Sequence, residues 1–290
     1  MKLDLDGIQS EELKYDICII GSGIAGSILS NEISKIDSEI KVCILECGNF
    51  QVDSYINKKL KFIDCKQLTI SKNSREFIIG GTSSTWGGVS SHFTKDETIG
   101  IDKNVIKWPI AYSEIIKYCR IASKKYNFFN TYDFKGKFPK IFDDLEKRYF
   151  FSNYPPLNFN KVINSDCHDL IYNANVVSIN QAGNKIDYIL VSSINRKTLK
   201  VYANKFVLSG GTLESIRILL NSLKRKTLKL GIEKQNIGLY FMSHPKCISG
   251  QIKLKKFNKY IYDFIPRRFD KGSGYWGLSL KSVKSNKYFL

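Results

Sequence analysis

The run Gly21-Ser22-Gly23-Ile24-Ala25-Gly26, with Glu46 placed 20 residues beyond its last glycine, has the residue types and spacing to hold a dinucleotide. Gly21 permits a tight turn, Gly23 lets backbone approach a pyrophosphate, and Gly26 lets a helix pack closely on a strand. Ile24 and Ala25 open that helix, where unpaired N–H groups and the positive end of the dipole favour an anion. Glu46 is expected to accept hydrogen bonds from a ribose diol. A second glycine-rich stretch, Ile79-Gly80-Gly81-Thr82-Ser83-Ser84-Thr85-Trp86-Gly87-Gly88, places four glycines in nine residues. That is too many for a packed strand or helix. It suits a loop whose backbone lies against a flat ligand, with amides and the Thr82 and Ser83 hydroxyls as donors.

The elements that must position these residues are legible around them. Residues 15–20 form a short apolar run that reads as a strand buried on both faces. Ile24, Ala25, Ile28, Leu29, Ile33 and Ile36 then recur at helical spacing, and residues 41–46 read as the next strand, completing a βαβ unit. Further on, residues 205–208 followed by Gly210-Gly211 and residues 212–217 read as strand, glycine turn and helix. There Gly210 and Gly211 again bring backbone close to the ligand. Residues 173–179 read as a strand entering a hairpin at 182–185.

The 290 residues, 43% of them hydrophobic and 13% aromatic, suffice for one large domain or two small ones. The net charge of +18 invites a nucleic-acid or membrane-surface reading. Only 8 of the 45 basic residues are Arg, however, and the lysines are scattered among Asn and Ile, so no nucleic-acid partner is expected. The seven cysteines are odd in number and lack CxxC spacing, which implies reduced thiols, a cytoplasmic location and no metal site. Neither a signal peptide nor a membrane span is visible; the longest apolar stretch, 17–29, is broken by glycines and serines and is already explained as strand and helix.

The second glycine loop resembles the segment that runs beside the flavin ring in the glucose-methanol-choline (GMC) oxidoreductases: Gly-Gly, Ser or Thr, Ser, two variable residues, then Trp-Gly-Gly. Four more stretches resemble the family in its chain order, one of them the strand at residues 173–179. Trp108-Pro109-Ile110-Ala111-Tyr112 opens a helical pattern, Leu213-Glu214-Ser215-Ile216-Arg217 ends the strand-turn-helix segment, and residues 236–245 close with Met242-Ser243-His244-Pro245. The resemblance implies an α/β fold: a Rossmann-like FAD-binding domain over residues 10–245, with a helical insert at 108–160, and the start of a substrate-domain sheet at 246–290. It implies FAD as cofactor, with the backbone at Val176 pairing with the adenine. The implied FAD contacts are Gly21, Gly23, Ile24, Ala25, Gly26, Glu46, Gly80, Gly81, Thr82, Ser83, Trp86, Gly87, Gly88, Val176, Gly210 and Gly211. Some relatives attach the flavin through a His immediately before the Trp; this chain has Thr85 there, which implies noncovalent FAD.

The implied activity is oxidation of a CH–OH group in a small alcohol or sugar-like substrate. The family's general base is a His in a C-terminal segment that has no counterpart before Leu290. No catalytic residue is therefore assigned. His92 follows the flavin loop and reads as a surface or capping residue; His168 reads as solvent-exposed; His244 matches a family position other than the base. Two further readings stay open. The chain is a truncated remnant, or one subunit of a split enzyme whose second chain supplies the C-terminal half, that binds FAD without alcohol-oxidising activity of its own; or it is an NAD(P)-dependent dehydrogenase.

Overall fold

The structure is a computed structural model that describes residues 1–52, 75–91, 93, 95, 98, 108–126, 145–153, 156–161, 163, 168–239, 241, 267–269 and 272–280. The chain divides into two compact units, one of residues 1–85 and 158–246 and the other of residues 86–157 and 247–290.

Among the described residues the first unit is built on a seven-stranded sheet in the order β1-β6-β3-β2-β9-β8-β7. Its strands are β1 (Lys2–Asp4), β2 (Glu12–Ile20), β3 (Val42–Leu45), β6 (His168–Tyr172), β7 (Asn175–Ala182), β8 (Lys185–Ser192) and β9 (Thr198–Leu208). From β1 to β9 each neighbouring pair is parallel; β8 and β7 add an antiparallel meander at one edge. The β7–β8 hairpin turns at Gly183, whose φ of 59° is the left-handed conformation that a residue without Cβ adopts at little cost. The unit is therefore α/β with a predominantly parallel, doubly covered sheet, as the buried-on-both-faces reading of residues 15–20 implies.

Alternation along β2 and β3 feeds two cores. Cys18, Ile20, Cys43 and Leu45 face a cluster with Val176, Ile189, Val201 and Ile218, while Ile19, Val42 and Ile44 face a second one with Ile79 and Leu170. Helix α1 (Ile24–Ile36) lies on the second cluster through Leu29 and Ile33. The helix Gly211–Lys224, called α3 below, contributes Ile218 to the first. The buried face of α1 differs from the expected apolar stripe. Gly26, Ser27 and Ser30 are its buried residues, whereas Ile24 and Ile36 are exposed. Small residues let the helix axis approach the sheet, and their hydroxyls are satisfied locally: Ser27 Oγ donates to the Ser22 carbonyl at 2.6 Å and Ser30 Oγ to the Ser27 carbonyl at 3.0 Å.

Among the described residues the second unit contains a four-stranded antiparallel sheet in the order β10-β11-β5-β4. Its strands are β4 (Val89–Ser90), β5 (Leu145–Asn153), β10 (Arg267–Phe269) and β11 (Gly272–Leu280). Helix α2 (Tyr112–Lys125) follows the Trp108-Pro109 pair. Among the described residues of the insert expected to be helical lie this helix and the long strand β5. Residues 149–151, Tyr-Phe-Phe, favour a strand, and the partner that fixes it, residues 272–280, lies more than a hundred positions away in the chain. Of the substrate-domain sheet expected at 246–290, residues 267–269 and 272–280 are among those described.

Candidate functional site

The parallel strands end together. Beyond β2 lies Gly21, beyond β3 lies Glu46, and beyond β9 lie Ser209 and Gly210, so three expected contact segments share the carboxyl edge of one sheet, where open α/β sheets bind ligands. Gly21 has φ 100°, and a Cβ there would meet the Ser209 carbonyl oxygen at 2.7 Å and Gly210 Cα at 2.9 Å. A Cβ on Gly26 would sit 2.0 Å from the Gly21 carbonyl oxygen. Ser209 Oγ secures the crossing by donating to the carbonyls of Ile20 and Gly21 at 2.8 and 3.0 Å. Gly23 caps α1 with open space around its Cβ position. Ile24 and Ala25 follow it in the first helical turn, whose amides have no acceptor within the helix.

The second glycine loop folds onto the first. Residues Gly81–Ser84 form a single 3-10 turn entered through Gly80 at φ 88°, and a Cβ on Gly81, itself at φ 59°, would lie 3.0 Å from Gly23 Cα. The Gly80 amide donates to Ser22 Oγ at 3.1 Å. The expected donors of this loop are turned to its own support. Ser83 is buried, with its hydroxyl donating to the Gly80 carbonyl at 2.6 Å and accepting from the Phe159 amide at 3.0 Å; Thr82 Oγ1 accepts from the Glu76 amide at 3.3 Å. Trp86, Gly87 and Gly88 belong to the second unit, where Trp86 Nε1 donates to the Leu157 carbonyl at 2.8 Å and Gly88 turns at φ 67°.

Glu46 is 6% exposed and its carboxylate faces the loop. Oε2 accepts from the Ser22 amide at 3.0 Å and the Ser22 hydroxyl at 2.6 Å, and Oε1 accepts from the Gly48 amide at 2.9 Å. With about four acceptor positions on a carboxylate, three donors from the chain itself leave no room for both hydroxyls of a diol in this arrangement. An acid at a strand exit is drawn to the unpaired amides of the adjoining turns, and one acceptor position is left for a ribose hydroxyl. Burial pushes the Glu46 carboxyl above its ordinary value, against the opposing hydrogen bonds from the Ser22 hydroxyl and the Gly48 and Ser22 amides. Beside it, burial and then the Glu46 and Glu214 carboxylates push the Cys47 thiol well up, so it is held protonated.

Val176 is buried on the edge strand β7, next to a register shift between Val176 and Ser178. Its carbonyl accepts from Arg217 Nη2 at 3.5 Å, and Asn175 Oδ1 accepts from the same nitrogen at 3.3 Å. Arg217 in turn donates from Nε to Glu214 Oε2 at 2.5 Å, and Arg75 Nη1 donates to Glu214 Oε1. Arg75, Glu214 and Arg217 thus tie the segment ahead of the second loop to α3 and to β7. Only the last two stand out in the sequence, as part of the resemblance; Arg75 carries no local signal. Gly211 has φ 76° with nothing within 4 Å of a Cβ, and Gly210 lies beside Glu214 and Ser215.

His168 begins β6 and is 3% exposed, which corrects the expectation of a solvent-exposed turn: it pairs with Val42 inside the sheet. His92 and His244 lie outside the described residues. No helix among the described residues is long and apolar enough to cross a membrane.

No protein-family model matches the chain, and no curated protein sequence does. Among solved structures it is similar to formate oxidase, with a TM-score of 0.45 and 16% identity over 73% of this chain and 48% of that one. Two variants of the Aspergillus oryzae RIB40 formate oxidase, studied for their effect on FAD modification, align at the same TM-score and identity. The chain therefore spans about half the length of the enzymes it aligns with. At that TM-score and identity the likeness carries no weight for function, which rests on the geometry above.

Proposed function

We propose that this chain binds FAD noncovalently and belongs to an oxidoreductase of GMC type that acts on the CH–OH group of an alcohol or sugar-like small molecule. The observation that carries the reading is the junction of the two glycine loops at the carboxyl edge of the sheet, with Gly81 against Gly23 and the Gly80 amide on Ser22. A mononucleotide needs only the first loop. Two apposed glycine loops, one at a helix N-terminus and one presenting bare backbone, suit a ligand with a pyrophosphate and a flat ring system. In this reading the amides of Gly23, Ile24 and Ala25 face the pyrophosphate, residues 80–83 follow the ring, Val176 lies at the adenine end and Gly210 and Gly211 close the floor. Bound FAD would supply the hydride acceptor.

Residues 10–245 outside 86–157 make up the nucleotide-binding domain in this reading. The pairing of β5 with β11 supports assigning 86–157 and 247–290 together to the substrate side, since the two segments share one sheet. The substrate class comes from the resemblance alone, and no general base is assigned.

An absorption spectrum of the purified protein, followed by titration with FAD and with NAD, tests the proposal. Flavin bands, or uptake of added FAD with quenching of its fluorescence, are the expected result. A colourless protein that takes up NAD and leaves FAD free would overturn it.

A further inference from the structure

Ser22 is the one residue between the first two glycines, and it is fully buried. A hydroxyl has one proton to donate and lone pairs to accept with. Ser22 gives its proton to Glu46 Oε2 at 2.6 Å, which fixes the torsion of the O–H bond, and its remaining lone pairs are then directed so that one receives the Gly80 amide at 3.1 Å. Glu46 is held from its other side by the Gly48 amide at 2.9 Å. The 46–49 segment is itself locked to the second loop's entry, where the Ile79 amide donates to the Asn49 carbonyl at 3.0 Å and a Cβ on Gly48 would meet Phe77 carbonyl carbon at 2.1 Å. Three chain segments therefore converge on one hydroxyl and one carboxylate.

We propose that Ser22 is a positioning residue that couples the two glycine loops, so that the segment facing a pyrophosphate and the segment facing a ring system grip one ligand as a unit. The inference rests on the FAD reading for its ligand and on geometry for its coupling. Alanine at 22 keeps every backbone contact of the first loop, including the Ser22 amide to Glu46, but takes one hydroxyl donor from Glu46, which keeps its two amide donors, and leaves the buried Gly80 amide without its acceptor. A buried donor so orphaned is costly, and the cost falls on the second loop.

The test pairs amide hydrogen exchange on the ligand-free chain with titrations of FAD and of ADP, which lacks the flavin ring and so does not engage the second loop. In the wild type the Gly80 amide is expected to be protected to within about tenfold of the Ser27 amide, as members of one cooperative unit are. Ser22→Ala should speed exchange at Gly80 by roughly tenfold and weaken FAD by about the same factor, while ADP changes by less than about threefold. Exchange at Gly80 that is unprotected in the wild type, or unchanged in the variant, would overturn the coupling; so would equal losses for FAD and ADP. If Ser22→Ala does not fold, the wild-type protection at Gly80 decides alone. A wild type that binds neither FAD nor ADP refutes the flavin reading instead, and the exchange data still decide the coupling.

Discussion

The α carbon of Gly26 faces the carbonyl of Gly21 so closely that a Cβ at 26 would lie 2.0 Å from that oxygen, while a Cβ at Gly23, three residues earlier, would touch nothing within 4 Å. The two glycines of one motif therefore do different work. Gly26→Ala should destabilise the fold by about 1–3 kcal/mol, because the obstacle is backbone that cannot rotate away. Gly23→Ala should change stability by less than about 0.5 kcal/mol yet weaken FAD sharply, by filling the approach to the pyrophosphate. Urea unfolding of both variants beside FAD titration checks the split; a Gly23→Ala protein with wild-type FAD affinity would deny that loop its assigned ligand.

Arg75 and Glu214 form an ion pair in which both side chains are under 20% exposed, 16% and 14%. Exposed pairs contribute little, but truncating one member of a largely buried pair costs more, even where, as here, Glu214 keeps Arg217 as a second partner. A double-mutant cycle with Arg75→Ala and Glu214→Ala should show a coupling of about 1 kcal/mol or more. Arg217→Ala, which frees the Val176 and Asn175 acceptors, should in addition raise amide exchange along β7.

How much of this was readable beforehand depends on how local the cause is. The βαβ unit and the β9-turn-α3 segment were legible because apolar period and glycine turns are decided within a few residues. The glycine positions were legible for the same reason. What Glu46 does was not, since its donors include Ser22, 24 positions earlier, and the pull of unpaired loop amides becomes visible only once the loop is folded beside it. The strand at Leu145–Asn153 depends on a distant partner strand, and His168 on a sheet register, neither of which periodicity reports. The small buried face of α1 was hidden by the rule that apolar residues go inward, which the close helix approach at Gly26 overrides.

Thr85 ends the 3-10 turn of the second loop, its hydroxyl 3.4 Å from the Thr82 carbonyl, and it is exposed. A hydroxyl there offers no imidazole for attachment to a flavin. Acid precipitation of the loaded protein should release all flavin to the supernatant, read by its absorbance; yellow colour retained in the washed pellet would reveal a covalent bond.

The Glu46 carboxyl, raised above its ordinary value of 4.5 by burial, gives stability a pH dependence of definite sign. Where the folded pKa exceeds the unfolded one, the folded chain keeps a proton that the unfolded chain has lost, so raising the pH favours unfolding. The contribution is complete below about pH 4.5 and is lost as pH climbs through the raised folded value. Other groups titrate in the same range, so the quantity to follow is the difference in unfolding free energy between wild type and Glu46→Gln, measured from about pH 4 to pH 8. Glutamine does not titrate, and it turns one N–H donor toward either Ser22 or Gly48, so the variant is less stable throughout. The wild type's advantage should shrink with rising pH. An advantage that instead grows would mean that the donors of Ser22 and Gly48 outweigh burial, and that Glu46 is held as a carboxylate at the junction of the two loops.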